Sequence, residues 1–234
     1  MSTIRLPPGL KNLGNTCYMN ALLQILVTGL RYATKIPLAS AVDDDNTDVN
    51  LANHVLGKAF DNLCHVLARI REKRMNVVSI SPVAILRAVL NNTTVPVLRQ
   101  RGRQQDAHEL MLLLLDSSRV LRNTTRFNFT SVVSSESSTS FTDWTSYHMS
   151  LKLGSSIASM LQNDLCCTET LHCGSKKKTY LTTPPCLLLI HLRRWHPRTR
   201  TKLATPVMVD GLIKVPIHRK SSLKCGAEKK VHME

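Results

Sequence analysis

The spacing of apolar residues changes partway along this chain, and that change sets the class of fold it can form. In the first half, apolar positions recur at helical intervals. After the turn at Pro7, Pro8 and Gly9, residues Ala21, Leu22, Ile25 and Leu26 share one face, with Thr16 placed as an N-cap and Gly29 as a stop. Val55, Ala59, Leu63, Leu67 and Ile70 mark one face of a second helix over about 51–75, and Arg69, Arg71, Lys73 and Arg74 near its C-terminal end complement the helix dipole. Ser81 and Pro82 open a short helix reaching Leu90, and another is expected over 105–121 with Leu110, Leu113, Leu114 and Leu121 buried. Over 123–146 Ser and Thr dominate and the period is lost, which predicts a loop or a weak hairpin. Beyond it the intervals are those of strands. Met149, Leu151 and Leu153 alternate with polar residues, and 186–192 reads as a strand buried on both faces. Helices first and strands second predict an α+β fold.

Composition narrows the setting. No apolar run approaches the roughly 18 residues of a membrane span, and the start MSTIRLPPGL lacks a charged-then-apolar leader, so a protein of the cytoplasm or nucleus, with no membrane partner, is expected. The seven cysteines form no regular disulfide framework, and in a reducing compartment they stay thiols. Cys64 and Cys186 read as small buried hydrophobes. The formal charge of +15 favours acidic partners, and from His191 onward eleven Lys or Arg face only three Asp or Glu. Aromatics make up 4% of the chain, which leaves few platforms for stacking bases, so nucleic acid is not expected as a partner despite the basic C-terminal stretch.

The segment GLKNLGNTCYMNALLQIL, residues 9–26, concentrates chemistry at the start of the first helix. A thiol there sits at the positive end of the helix dipole, which favours the nucleophilic thiolate at Cys17. Gly14 lets the backbone turn just before it, and Asn12, five residues ahead of Cys17, can aim its amide at the oxygen of a tetrahedral intermediate. Taken alone, a cysteine opening a helix is structural more often than catalytic. A second segment, RQQDAHELMLLLLD over 103–116, carries Gln105, Asp106, His108 and Glu109, which can hydrogen-bond an extended peptide; the plain alternative is a polar helix start with acidic residues at its positive end. A third segment, LTTPPCLLLIHLRRW over 181–195, joins prolines to an apolar run and His191.

In this order the three segments resemble the cysteine box, the glutamine-aspartate box and a core strand of the ubiquitin-specific proteases, a papain-like cysteine deubiquitinase family. The resemblance is traceable from about Gly9 to Pro206. It implies a papain-like fold with a helical thumb over 1–122, a reduced fingers region over 123–180 and a partial β palm with a basic tail over 181–234. It implies a ubiquitin carboxyl-terminal hydrolase that cleaves isopeptide bonds after the ubiquitin C-terminus, with ubiquitin or ubiquitinated proteins as partners. Cys17 is then the nucleophile, Asn12 the oxyanion donor, and Gln105, Asp106, His108 and Glu109 hold the ubiquitin tail. His191 is structural. Where the family carries two Cys-x-x-Cys zinc pairs, this chain has only Cys166, Cys167, His172 and Cys173, and adjacent cysteines seldom share one tetrahedral ion, so neither metal nor cofactor is expected. The family's general-base histidine belongs to a late Gly-His-Tyr-like segment. His196, His218 and His232 follow Trp195 here, none in that setting, so the alternative is an inactive ubiquitin-binding pseudo-deubiquitinase.

Overall fold

In a computed structural model of the chain, residues 8–33, 51–73, 75–99, 105–166, 168–196, 198–199, 201–209, 211, 213, 215 and 217–218 are described. They belong to two units that divide after Thr124. The first is helical: strand β1 (Gly9–Leu10), helices α1 (Cys17–Ala33) and α2 (Leu51–Glu72), strand β2 (Ser79–Ile80), helix α3 (Val83–Asn91), a 3-10 turn (Pro96–Arg99), and helices α4 (Ala107–Ser117) and α5 (Arg119–Thr125). The second holds strands β3 (Phe127–Ser134), β4 (Thr139–Ser146) and β5 (Met149–Lys152), helix α6 (Ile157–Cys166), and strands β6 (Thr168–Thr170), β7 (Lys176–Thr183) and β8 (Ile190–Arg193). Its sheet runs β4-β3-β7-β6, all antiparallel, beside a parallel β5-β8 pair.

In the helical unit, α4 packs against α1 and α2, and α2 against α3. Leu23, Leu26, Leu56, Phe60, Leu110 and Leu114 are fully buried there. Cutting a leucine in such a place to alanine costs about 2–5 kcal/mol, because both the transfer energy and the packing of the vacated space are lost. Several expectations need correction. Gly29 does not stop α1, which runs on to Ala33, because buried Leu26 and Leu30 continue the apolar face past a residue that costs only about 1 kcal/mol in a helix. The buried stripe of α2 is Leu56, Gly57, Phe60, Leu63, Cys64 and Leu67, whereas Val55 is 50% exposed. Phe60 and a close approach at Gly57 turn the helix to that side: a β-carbon on Gly57 would lie 2.1 Å from the Ser117 carbonyl oxygen. The helix expected over 105–121 is two helices. Ser118, at φ −99° and ψ 116°, breaks it; its hydroxyl accepts from Leu121 N–H at 3.2 Å and donates to Asp61 Oδ1 at 2.8 Å.

In the strand unit, the Ser/Thr-rich stretch is a regular hairpin, Phe127 opposite Ser146 through Ser134 opposite Thr139. Its hydroxyls find partners across the strands, which removes the cost of burying them: Thr130 donates to Asp143 at 2.7 Å, Ser131 meets Thr179 at 3.2 Å, and Trp144 Nε1 donates to Ser131 at 3.2 Å. The core beneath is Phe127, Phe129, Met149, Leu151, Leu161, Leu165 and Leu181, with the two phenylalanines edge-to-face at 5.1 Å. The strand expected over 186–192 is only Ile190–Arg193, half-buried rather than enclosed on both faces, and Cys186 is exposed, not buried. It pairs on one side, with β5, where Ser150 and the His191 ring meet at 3.0 Å. The stretch over 201–209 makes isolated bridges, Lys202 to Trp195 and Met208 to Ser156.

Candidate active site

The residues around Cys17 are fixed by their own helix. β1 lies parallel to β2, with Gly9 N–H on Val78 O at 3.0 Å and Lys11 N–H on Ile80 O at 2.9 Å. Across from β2, two side chains of α1 grip the same strand: Asn20 Nδ2 donates to Leu10 O at 3.2 Å and Lys11 O at 3.1 Å, and Gln24 Nε2 donates to Pro8 O at 2.8 Å. The sequence reading missed Asn20 and Gln24. The available signal was their polarity, four residues apart within the otherwise apolar run 19–27, which places them on one face.

Between β1 and α1 the chain reverses through Gly14 at φ 95° and Asn15 at φ 50°, the left-handed region that glycine and asparagine enter most readily. Asn12 closes this turn. Its Oδ1 accepts from Gly14 N–H at 3.1 Å, Thr16 N–H at 3.2 Å and the Thr16 hydroxyl at 3.0 Å. Thr16 stands at the N-cap position, its carbonyl accepting from Asn20 N–H at 2.9 Å, but its hydroxyl turns back into the loop, accepting from Leu13 N–H at 2.9 Å. Cys17 is the first residue of α1 and is exposed. Tyr18 follows half-buried; burial, and secondarily the negative charge of Cys17, push its phenol above the ordinary value.

The second group of residues lies at the start of α4, in the same unit. Asp106 is its N-cap, the carboxylate accepting from His108 N–H at 2.7 Å, and Glu109 sits in the first turn. Asp106 is exposed, whereas Gln105, His108 and Glu109 are half-buried. The plain helix-start role is therefore present for Asp106, through one carboxylate oxygen.

The remaining candidates belong to the strand unit. His172 and Cys173 are exposed in the turn between β6 and β7, where the Cys173 thiol donates to the Ser175 hydroxyl at 3.3 Å, and hydrogen bonds from Ser175 hold it below the usual thiol range. Cys167 and the Cys166 side chain lie outside the described residues, and among the described residues no three His, Cys, Asp or Glu side chains gather as a metal site. The His218 ring stacks edge-on against Tyr180 at 4.7 Å while its backbone N–H donates to Leu181 O at 2.9 Å, and His196 Nδ1 accepts from Thr199 N–H at 3.2 Å. His232 is outside the described residues.

An exposed cysteine thus opens the first helix of an α+β chain, with Asn12 locked in the turn directly ahead of it. The sequence model of the ubiquitin carboxyl-terminal hydrolase family matches residues 8–230, and the chain belongs to that family. Among individual proteins, ubiquitin carboxyl-terminal hydrolase 4 of Saccharomyces cerevisiae, from strains YJM789 and ATCC 204508 / S288c, is 34% identical over 110 residues. That alignment takes in 46% of this chain and spans only 11% of the yeast protein. No helix among the described residues is long and apolar enough to cross a membrane.

Proposed function

We propose that the chain is a thiol-dependent deubiquitinase in which Cys17 Sγ attacks the carbonyl carbon of ubiquitin's last residue. The carbonyl oxygen takes up the negative charge, and the Nδ2 hydrogens of Asn12 receive it. Collapse of the intermediate breaks the C–N bond and expels the lysine amine, which takes up, through solvent, the proton that the Cys17 thiol released on attack, and leaves a thioester that water hydrolyses to the ubiquitin carboxylate and the free thiol. Gln105, Asp106, His108 and Glu109 hold the extended tail ahead of the scissile bond. One observation carries this reading: Cys17 is exposed at the first residue of α1, directly after the turn that pins Asn12.

The test separates attack from turnover. A ubiquitin carrying a C-terminal electrophile labels Cys17 without needing a proton for a leaving amine, and Cys17→Ala abolishes the labelling. Di-ubiquitin cleavage needs a proton delivered to the leaving amine as well. An unlabelled protein sinks the proposal; labelling without cleavage of any di-ubiquitin leaves a ubiquitin binder with an incomplete general base. The free thiols at Cys17, Cys64, Cys173 and Cys186 suit a cytoplasmic or nuclear address, which imaging of a tagged chain tests.

A further inference from the structure

The carboxamide of Asn12 can meet its turn with either end, and only one end serves an oxyanion. Rotation about its last torsion is broad and roughly two-fold, so local partners must choose. Gly14 N–H and Thr16 N–H reach one atom of it at 3.1 and 3.2 Å. Both are obligatory donors, so that atom is the oxygen and the two Nδ2 hydrogens lie on the opposite edge. The third partner is the Thr16 hydroxyl, at 3.0 Å. Its oxygen already accepts from Leu13 N–H at 2.9 Å, which leaves its single proton for Asn12. Thr16 is 3% exposed, so solvent is poorly placed to stand in for that proton.

We propose that Thr16 is the positioning residue for Asn12: a relay from Leu13 N–H through the Thr16 hydroxyl to Asn12 Oδ1 locks the carboxamide with its NH2 edge turned outward, ready for developing negative charge. The assignment rests on Asn12 being the oxyanion donor. Thr16 acts through Asn12 and does not itself meet the substrate. Removal of its hydroxyl leaves two backbone donors in place, so the lock loosens rather than vanishes. An amide that spends part of its time reversed presents an oxygen to an oxygen anion, which raises the barrier to the chemical step and leaves ubiquitin binding unchanged.

The experiment uses the full chain with Thr16→Val, which keeps the branched shape, and Thr16→Ser, which keeps the hydroxyl. With ubiquitin bearing a C-terminal aminomethylcoumarin, Thr16→Val is expected to lower kcat about tenfold with KM held within about twofold, and Thr16→Ser to return to within about threefold of the parent. Alkylation of Cys17 by iodoacetamide, which forms no oxyanion, stays within about twofold in both variants. A fall in alkylation as large as the fall in kcat would locate the damage at the thiol and overturn the proposal. Hydrogen exchange of the Gly14 amide, followed by NMR, supplies a readout that needs no turnover: Gly14 is bonded to Asn12 and not to Thr16, so its exchange quickens in Thr16→Val and not in Thr16→Ser. If the parent chain hydrolyses nothing, the deubiquitinase reading fails and Gly14 exchange alone decides the role of Thr16. Unchanged Gly14 exchange in Thr16→Val overturns that role whatever the rates.

Discussion

Two thiols of the helical unit, Cys17 and Cys64, sit in opposite surroundings. Cys17 is exposed, whereas Cys64 is enclosed on α2, where burial, with the charge of Asp61 adding to it, pushes the thiol up to about 12. Native protein treated with iodoacetamide is therefore expected to be modified at Cys17, Cys173 and Cys186 and spared at Cys64 until denaturant is added, which peptide mass spectrometry reads directly. The same burial ties stability to pH. Folded Cys64 keeps its proton to a higher pH than the unfolded thiol at about 9.0, so its contribution is intact below that value and is lost as pH rises toward about 12. The alkaline fall in stability, up to roughly 1.4 kcal/mol per pH unit for one group, should flatten in Cys64→Ala when urea unfolding is compared at pH 8 and pH 10. Asp61 is raised mainly by burial, against the opposing Ser118 hydrogen bond and His65. Its protonated form is the one the fold favours, so its contribution declines as pH rises through the carboxylate range. Asp61→Asn keeps an acceptor for Ser118 and should gain on the parent between pH 3 and pH 7. At Asp106 the cap and the proposed tail contact separate by substitution. Asp106→Asn retains a good N-cap and removes the charge, so it should weaken ubiquitin affinity about tenfold with Tm unchanged, whereas Asp106→Ala also costs about 1 kcal/mol of stability.

Helices α2, α4 and α5 meet at one point that decides how the helical unit packs. Gly57 lets α2 come against the Ser117 carbonyl, and Ser118 caps α5 while holding Asp61 of α2. Alanine at position 57 should gain about 1 kcal/mol of helix propensity and lose more by overpacking, for a net destabilisation of about 1–3 kcal/mol in urea titration. A stable Gly57→Ala protein would mean that the two helices sit further apart than this. Helix α1 shows a second elemental device, since Asn20 and Gln24 bind it to three backbone carbonyls of the strand leading into the Asn12 turn. The element boundaries that sequence reading missed, at Gly29 and Ser118, both lie where a tertiary partner outweighs local propensity.

For the molecule as a whole, a charge of +15 produces a long-range field without specifying a partner. Adsorption to double-stranded nucleic acid at about 20 mM salt, lost by about 150 mM, is the expected behaviour of such a chain, because counterion release supplies the free energy. Retention at the higher salt in a filter-binding assay would point instead to a built nucleic-acid surface. Each unit carries its own apolar core, and Phe127→Ala in the strand unit should cost about 3–5 kcal/mol, seen as early loss of the β-sheet signal on heating.

The sequence by itself determined the α+β class and the family, because apolar period and short chemical strings are local properties of a chain, whereas β1, β2, α6, β6 and β7 were not legible in it. It also set Asn12 and Gly14 directly ahead of Cys17, where a short turn leads into the helix. Only the tertiary structure decided which face of α2 is buried, that Cys186 is open to solvent, and that a hydroxyl-rich stretch pairs as a hairpin. Each depends on which donor, acceptor or side chain arrives from elsewhere, and burial energies of a few kcal/mol then override what local propensity prefers.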